Sequence, residues 1–418
     1  MKYHYYHFFL FSCLMLLLFP FSAKAQRNKI YSDSIASLQV VMNDNWQEMP
    51  IIKLNTDDVI NIDFDDFTHS YHRYAYKIEH CDADWSVSQG IFSSDYIEGF
   101  AENNVIEDFE ESINTTNLYS HYHFQIPDDN VKLKLSGNYK VTVYDMDNSN
   151  QPIFTACFMV VEPLMAIGLN VTTQTDIDTN LSHQQLGMVL NYGNLKVTDY
   201  LSQIKTVVLQ NGRYDNAVYN TKPQFVKLDG LEWIHNSDLI FSGNNEYHKF
   251  EMLDVSHPTM GVENINWDGI YYNAYIWPNE PRPNYDYDES ANGGFLIRNS
   301  DNRNISTTCD YLQVHFKLIS PQADGDVYLN GNWTHDSFLQ KYKMDYDQAG
   351  KFYYSTVLLK QGYYSYQYLV LHPDGTTAGV PSEGNFYQTK NKYQALIYYR
   401  DSNGRYDQLV GYKEIQIK

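Results

Sequence analysis

Side chains able to do chemistry are sparse in this chain, and they gather in a few short runs. His80-Cys81-Asp82-Ala83-Asp84 places an imidazole, a thiol and two carboxylates within five residues. Neighbours on a strand point to opposite faces, so such a run converges on one ion only where the chain turns. It reads instead as a strand end followed by an Asp-rich turn. His121 and His123 share a strand face at i, i+2, as two zinc ligands would, but no third ligand is identifiable nearby. With Gln125 they read as a solvated polar face. The acidic pairs Asp65-Asp66 and Asp128-Asp129 sit in turn-like contexts, with nothing to push their pKa values apart as acid and base. Residues 284–290, Asn-Tyr-Asp-Tyr-Asp-Glu-Ser, offer carboxylates to calcium, yet lack the sixth-position glycine and the distal glutamate of an EF-hand. A P-loop, a G-x-G-x-x-G after a strand, H-E-x-x-H and G-x-S-x-G are all missing. No active site, metal or cofactor is therefore expected. Tyrosines interleaved with acids after Pro281-Arg282-Pro283 suit an exposed recognition loop, so Tyr285, Asp286, Tyr287 and Asp288 form the candidate partner-binding loop.

The elements that position these groups read as strands. Period-2 alternation recurs at Ile60, Ile62, Phe64; at Tyr74, Tyr76, Ile78; at Tyr139, Val141, Val143; and at Leu312, Val314, Phe316, Leu318. Turn signals such as Ser136-Gly137-Asn138, Asn330-Gly331-Asn332 and Pro373-Asp374-Gly375 punctuate them, which is the pattern of β-sandwiches. The β-branched residues of 199–209 favour a strand there too. Aromatic residues make up 16% of the chain, and its 38 tyrosines outnumber all lysines and arginines together, again favouring β structure.

Charge and targeting signals narrow the setting. Against 30 basic side chains stand 51 acidic ones, a net charge of −21 that disfavours nucleic acid and anionic membrane as partners. Two lysines and no acid accompany the apolar run 8–21, and Ala23-Lys24-Ala25 follows, so residues 1–25 read as a signal peptide cleaved after Ala25. Without them 28 basic side chains remain and the net charge falls to −23. Cys81, Cys157 and Cys309 remain as well; a Cys81–Cys157 bridge and buried thiols both fit. The longest later apolar run, 154–161, is too short for a transmembrane helix. Irregular acidic loops and outward Lys140 and Lys317 argue against a membrane barrel, so no direct membrane insertion is expected. Breaks at Glu162-Pro163 and over 299–308 divide the chain into 26–163, 164–309 and 310–418, giving an all-β protein of tandem sandwich domains.

Two resemblances add to this reading. The order of a strand, Asn330-Gly331-Asn332-Trp333, and two strands opening at Gly350 and Gly362 resembles the early-set immunoglobulin-like domains found beside glycan-active enzymes. Tandem immunoglobulin-like sandwiches, the C-terminal one early-set-like, are the fold this implies. It also implies an alternative role, carbohydrate binding through Trp333, Tyr363 and Tyr366, set against packing in the sandwich core. A broader set of stretches is similar, in family order, to the plug proteins of the type IX secretion system of the Bacteroidota. They include Ile78-Glu79-His80-Cys81-Asp82-Ala83-Asp84-Trp85, Tyr96-Ile97-Glu98-Gly99-Phe100, Leu135-Ser136-Gly137-Asn138-Tyr139, Gly243-Asn244-Asn245-Glu246-Tyr247 and Asn292-Gly293-Gly294-Phe295. The resemblance implies a non-enzymatic periplasmic protein that binds the outer-membrane translocon barrel and closes its periplasmic opening when cargo or shuttle partner is absent. Residues 411–418 faintly resemble the sorting domain on cargo of the same system, which would instead imply export through the barrel.

Overall fold

The computed structural model describes residues 28–417; the predicted signal peptide lies outside them. Strands dominate, and the sheets among the described residues are open, with free edges. No helix among them is long and apolar enough to cross a membrane. The 199–209 segment begins with one helical turn, Tyr200–Gln203, capped by the Asp199 carboxylate on the Leu201 amide, and becomes a strand at Ile204–Gln210.

The first body is a two-sheet sandwich. One sheet holds Ile35–Met42, Ile60–Asp66, Ser120–Ile126 and Asp108–Glu111; the other centres on Gln151–Val161, Gly137–Asp145 and Tyr74–Cys81. The alternating residues read from the sequence meet between them: Ile60, Ile62 and Phe64 against Tyr74, Tyr76, Ile78, Tyr139, Val141 and Val143. The second sheet is covered on its other side as well. Phe154, Ala156, Phe158 and Val160 face the first core, while Cys157, Met159 and Val161 face Val207, Leu209, Leu396, Tyr398 and Leu409 of a third sheet. Burial on both faces explains why 154–161 is a continuous apolar run rather than an alternating one. A fourth sheet, built on Ala166–Thr172, His183–Asn191 and Gly230–Trp233, closes the stack over Leu186, Met188, Leu190, Trp233, Tyr393 and Ile397. Four sheets in succession make a slab with three inter-sheet spacings, ~30 Å deep at about 10 Å each.

The grouping of strands departs from the sequence division at 309. The second body pairs Ile204–Gln210 with Lys392–Tyr399, which in turn pairs with Gln408–Gln416, so the chain's last two strands complete a sandwich begun at Ala166. Between them the chain builds the third body from 248 to 380, whose core joins Phe250, Ile276 and Phe295 to Val314, Phe316, Tyr364 and Val370. The polar stretch 299–308 is thus a loop within one sandwich. Loops inside a body and linkers between bodies share the same composition, and local patterning does not say which sheet a strand joins.

Tyrosine is mainly a core residue here. Tyr139, Tyr311, Tyr364, Tyr366, Tyr368, Tyr393 and Tyr398 are among the largest fully buried side chains. Each of these hydroxyls has a partner, as in Tyr139 to the Leu135 carbonyl at 2.7 Å and Tyr398 to Asn138 Oδ1 at 2.8 Å. Cys81, Cys157 and Cys309 are buried as thiols, with no disulfide joining them. Burial pushes the Cys81 and Cys309 thiols up to about 12. Iodoacetamide is accordingly expected to leave the native protein unlabelled at pH 8 and to modify all three residues in denaturant, without prior reduction. Labelling of native protein within minutes would contradict this burial.

Candidate docking surface and the joints behind it

The polar runs singled out in the sequence fasten the bodies together. His80 is buried one residue before the end of its strand, Tyr74–Cys81, its Nε2 donating to the Ser136 carbonyl at 3.1 Å and its Nδ1 2.9 Å from Ser88 Oγ. Asp82 begins the turn and reaches the second body, where Arg400 Nη2 lies 2.7 Å from Asp82 Oδ2 and the Asp407 amide donates to Asp82 Oδ1 at 3.1 Å. Asp407, itself buried, accepts from the Ala83 amide at 3.0 Å, Lys205 Nζ at 2.7 Å and Arg400 Nε at 2.7 Å. Burial opposes its charge, but Lys205, Arg400 and the Ala83 amide hold the carboxyl below its ordinary range. The His80–Asp84 run is the strand end and turn expected, and its carboxylate clamps the first body to the closing hairpin of the second.

A second joint corrects the sequence reading of the histidines and acids. Asp65 lies at the end of a strand rather than in a turn, on the face turned away from the first core, and is fully buried against the third body. It accepts from Lys360 Nζ at 2.6 Å, the Tyr311 hydroxyl at 2.6 Å and His121 Nδ1 at 2.8 Å. His121 Nε2 is 3.4 Å from Asp63 Oδ1, and His123 Nδ1 donates to the same oxygen at 2.9 Å. His121 and His123 therefore do share a face, but as alternate rungs of an Asp–His ladder running out of a domain joint. The solvated face expected is covered at one end by Tyr311 and Lys360, elements 190 or more residues away in sequence. Burial disfavours the His121 imidazolium, yet Asp63 and Asp65 raise its pKa to about 9; burial likewise opposes the Asp65 charge, which Lys360 and His121 hold low. Asp310 adds to this joint by accepting from the Thr116 amide at 2.7 Å and its hydroxyl at 2.6 Å. Between the second and third bodies, the buried Asp215 carboxylate binds Arg213 at 2.6 Å and also the Thr377 hydroxyl.

The candidate loop is anchored at two of its four residues. Tyr285 donates to Glu246 Oε1 at 2.8 Å, and Asp288 pairs with Lys249 Nζ at 2.6 Å. Arg282 ahead of it donates to the Glu246 carbonyl at 2.8 Å and pairs with the Glu383 carboxylate. Asp286 and Tyr287 are left outward, Tyr287 with 58% of its surface exposed beside a cleft that Tyr387, Lys390, Ile415 and Ile417 also line. The loop thus presents one ring and one carboxylate from a braced backbone. Trp333 and Tyr366, considered as sugar platforms, are core residues instead; Trp333 lies against Phe316 and Tyr342, and Tyr363 packs on Trp46 with centroids 5.6 Å apart. Among the described residues no group of three or more His, Cys, Asp or Glu side chains is arranged to hold a metal ion.

The joints themselves were missed in the sequence. Asp65 follows the alternating Ile60, Ile62 and Phe64 at an outward position, and Lys360 directly follows the apolar Val357-Leu358-Leu359, which are the local traces of a buried pair. Neither trace names the partner.

Fold and joints define an all-β protein of sandwiches fused by buried polar clamps. Residues 35–162 match the type 9 secretion system plug protein 1st domain. A crystal structure of a hypothetical protein from Parabacteroides merdae is 40% identical, superposes with a TM-score of 0.90, and the match covers 94% of this chain and 99% of that one. Trypsin-activated alpha-2-macroglobulin from Escherichia coli, 10% identical over 91% of this chain and 28% of that one, reaches a TM-score of only 0.16. No curated protein matches the chain. The chain belongs to the type IX secretion system plug protein family.

Proposed function

We propose that this protein is a non-enzymatic periplasmic plug, which binds the outer-membrane translocon barrel of the type IX secretion system and closes its periplasmic opening when neither cargo nor shuttle partner is engaged. The observation that carries the reading is the plug-domain match over 35–162 in a chain whose sandwiches are locked into one block. A plug has to obstruct a wide opening without deforming. Sheets stacked face to face and clamped by buried ion pairs supply a body of that kind, whereas domains on open linkers would move relative to one another. A net charge of −21 disfavours contact with anionic lipid, and the braced loop with Asp286 and Tyr287 offers a protein partner a ring at low rotamer cost.

Affinity purification of a tagged chain from membranes is expected to bring down a very large outer-membrane barrel, and deletion is expected to admit antibiotics too big for ordinary porins. No barrel in the purification together with unchanged permeability would overturn the reading. Protease treatment of intact cells separates it from the cargo alternative, since a periplasmic plug stays protected and a surface cargo is degraded.

A further inference from the structure

We propose that the third body carries a glycan-binding face, separate from any contact with a barrel, in which Tyr275 and Trp277 stack on the pyranose rings of a neutral oligosaccharide. The face is the outer side of the sheet formed by Val262–Trp267, Tyr272–Ile276, Tyr311–Ile319, Phe352–Lys360 and Asp345–Asp347. The inner side of this sheet carries Ala274, Ile276, Val314, Phe316 and Val357 into the core, so the alternating residues Tyr275, Trp277, His315, Tyr354 and Thr356 point out.

The platform is fixed before any ligand arrives. The Tyr275 ring lies parallel to the His315 imidazole, 9° between planes and 4.4 Å between centroids. His315 cannot swing away. Its Nε2 donates to Asn273 Oδ1 at 2.8 Å, and its Nδ1 accepts from the Thr356 hydroxyl at 2.9 Å. Asn273 is held in turn by its amide's 2.9 Å bond to Asp268 Oδ2, which leaves its oxygen for the histidine. Burial keeps the pKa of His315 low, so the support under Tyr275 is neutral. One face of the Tyr275 ring is thus covered and the other open, with 37% of the residue exposed. Trp277 follows directly after the end of that strand at 56% exposure, and Tyr354 stands across the sheet at 47%.

What surrounds the rings selects the ligand. Asn264 and Asn266 lie on the neighbouring strand, opposite Tyr275 and Asn273, and Gln313 sits beside Asn273. No protein partner bonds their side-chain amides among the described residues, and each offers both donor and acceptor to a hydroxyl. The three central strands, Tyr272–Ile276, Tyr311–Ile319 and Phe352–Lys360, place no carboxylate on this face, and the nearest on the edge strand are Asp345 and Asp347, opposite Tyr354 and Phe352. Of the two ammoniums on this face, Lys360 is taken up by Asp65 at the joint with the first body and Lys317 lies over the Phe352 ring at 4.1 Å. Around Tyr275 the preformed surface is one of rings and amides, which complements a neutral polyhydroxyl chain. A proline-rich peptide also stacks on aromatic rings, but prolines carry no N–H to answer the amide oxygens of Asn264, Asn266 and Gln313.

Calorimetric titration of the purified chain with chitohexaose, cellohexaose and maltohexaose tests the proposal. Binding of at least one with a Kd of about 0.1–1 mM is expected. Tyr275→Ala and Trp277→Ala should each weaken it by about tenfold or more, while Tyr71→Ala, an exposed ring on the first body, leaves it unchanged. All three positions are partly exposed, so circular dichroism should show every variant folded. The proposal is overturned by no heat with any of the three sugars at about 5 mM, above the weakest expected Kd. Sugar binding that survives both platform substitutions, or a proline-rich peptide bound at this face in place of sugar, overturns it too. None of these outcomes bears on barrel binding, which is tested separately in membranes.

Discussion

Lys360→Met is expected to destabilise the folded protein by about 3–5 kcal/mol, read from the urea midpoint, because it strands a buried carboxylate. Lys360 Nζ sits 2.6 Å from Asp65 Oδ2, with both side chains almost completely buried, and lies 4.1 Å above the Tyr119 ring. A methionine fills the stem's volume but supplies no charge. Asp65 would keep the Tyr311 hydroxyl and the His121 imidazolium, but that imidazolium is shared with Asp63 and sits on Oδ1, so Oδ2 loses its charged partner. The pair as a unit is another matter, since desolvating both charges consumes much of their attraction. The double variant Asp65→Asn, Lys360→Met should therefore recover a large part of the loss, a non-additivity that marks direct coupling. A loss below about 1 kcal/mol for the single variant would show that this joint contributes little to holding the third body against the first.

That expectation draws on contacts no local pattern contained. The sandwich class was legible because Ile60, Ile62, Phe64 and their counterparts alternate, and alternation is a property of one strand against one core. Even the uninterrupted run at 154–161 carried its meaning, since a strand covered on both sides has no polar face to show. The pairing of Lys392–Tyr399 with Ile204–Gln210 was not legible, because it depends on which of several buried strands meet across about 190 residues. The same limit applies to the polar residues. His121 looks identical in sequence whether water or Asp65 faces it, and the difference is made by Tyr311 and Lys360 arriving from the third body. Asn138 and Asp82 lie in the runs that resemble the plug family. Both turn out to serve the first joint, Asn138 accepting from Tyr398 and donating to the Asp82 carbonyl. Those runs therefore record how the bodies are fixed together, whereas the candidate loop at 285–288 was visible only as composition.

The Asp–His ladder predicts a stability profile that declines on the alkaline side. The His121 pKa stands at about 9 in the folded protein against 6.5 when unfolded, so the folded state holds the proton more tightly. Its contribution is whole below pH 6.5 and is lost as pH climbs through about 9, with ~3 kcal/mol as the ceiling for a shift of that size. Asp63, brought down to about 2 by His121 and His123 against the cost of burial, acts in the opposite direction. Its contribution is present above 3.8 and disappears as pH falls toward 2. The melting temperature should accordingly stay high between about pH 4 and 6.5 and fall steadily from there to 9.5. His121→Gln keeps a hydrogen-bonding side chain without a titrating one, and should flatten the alkaline limb while lowering stability at pH 6. His123→Gln, at the more exposed end of the ladder, should do so less, because solvent screens its pairing with Asp63. A wild-type melting temperature that stays level from pH 6.5 to 9.5 would mean that His121 is neutral in the folded protein. Asp65 would then have Lys360 as its charged partner, with the Tyr311 hydroxyl and a neutral His121 as further donors. The Lys360→Met loss would have to stand at the upper end of its range, with the double variant recovering more of it.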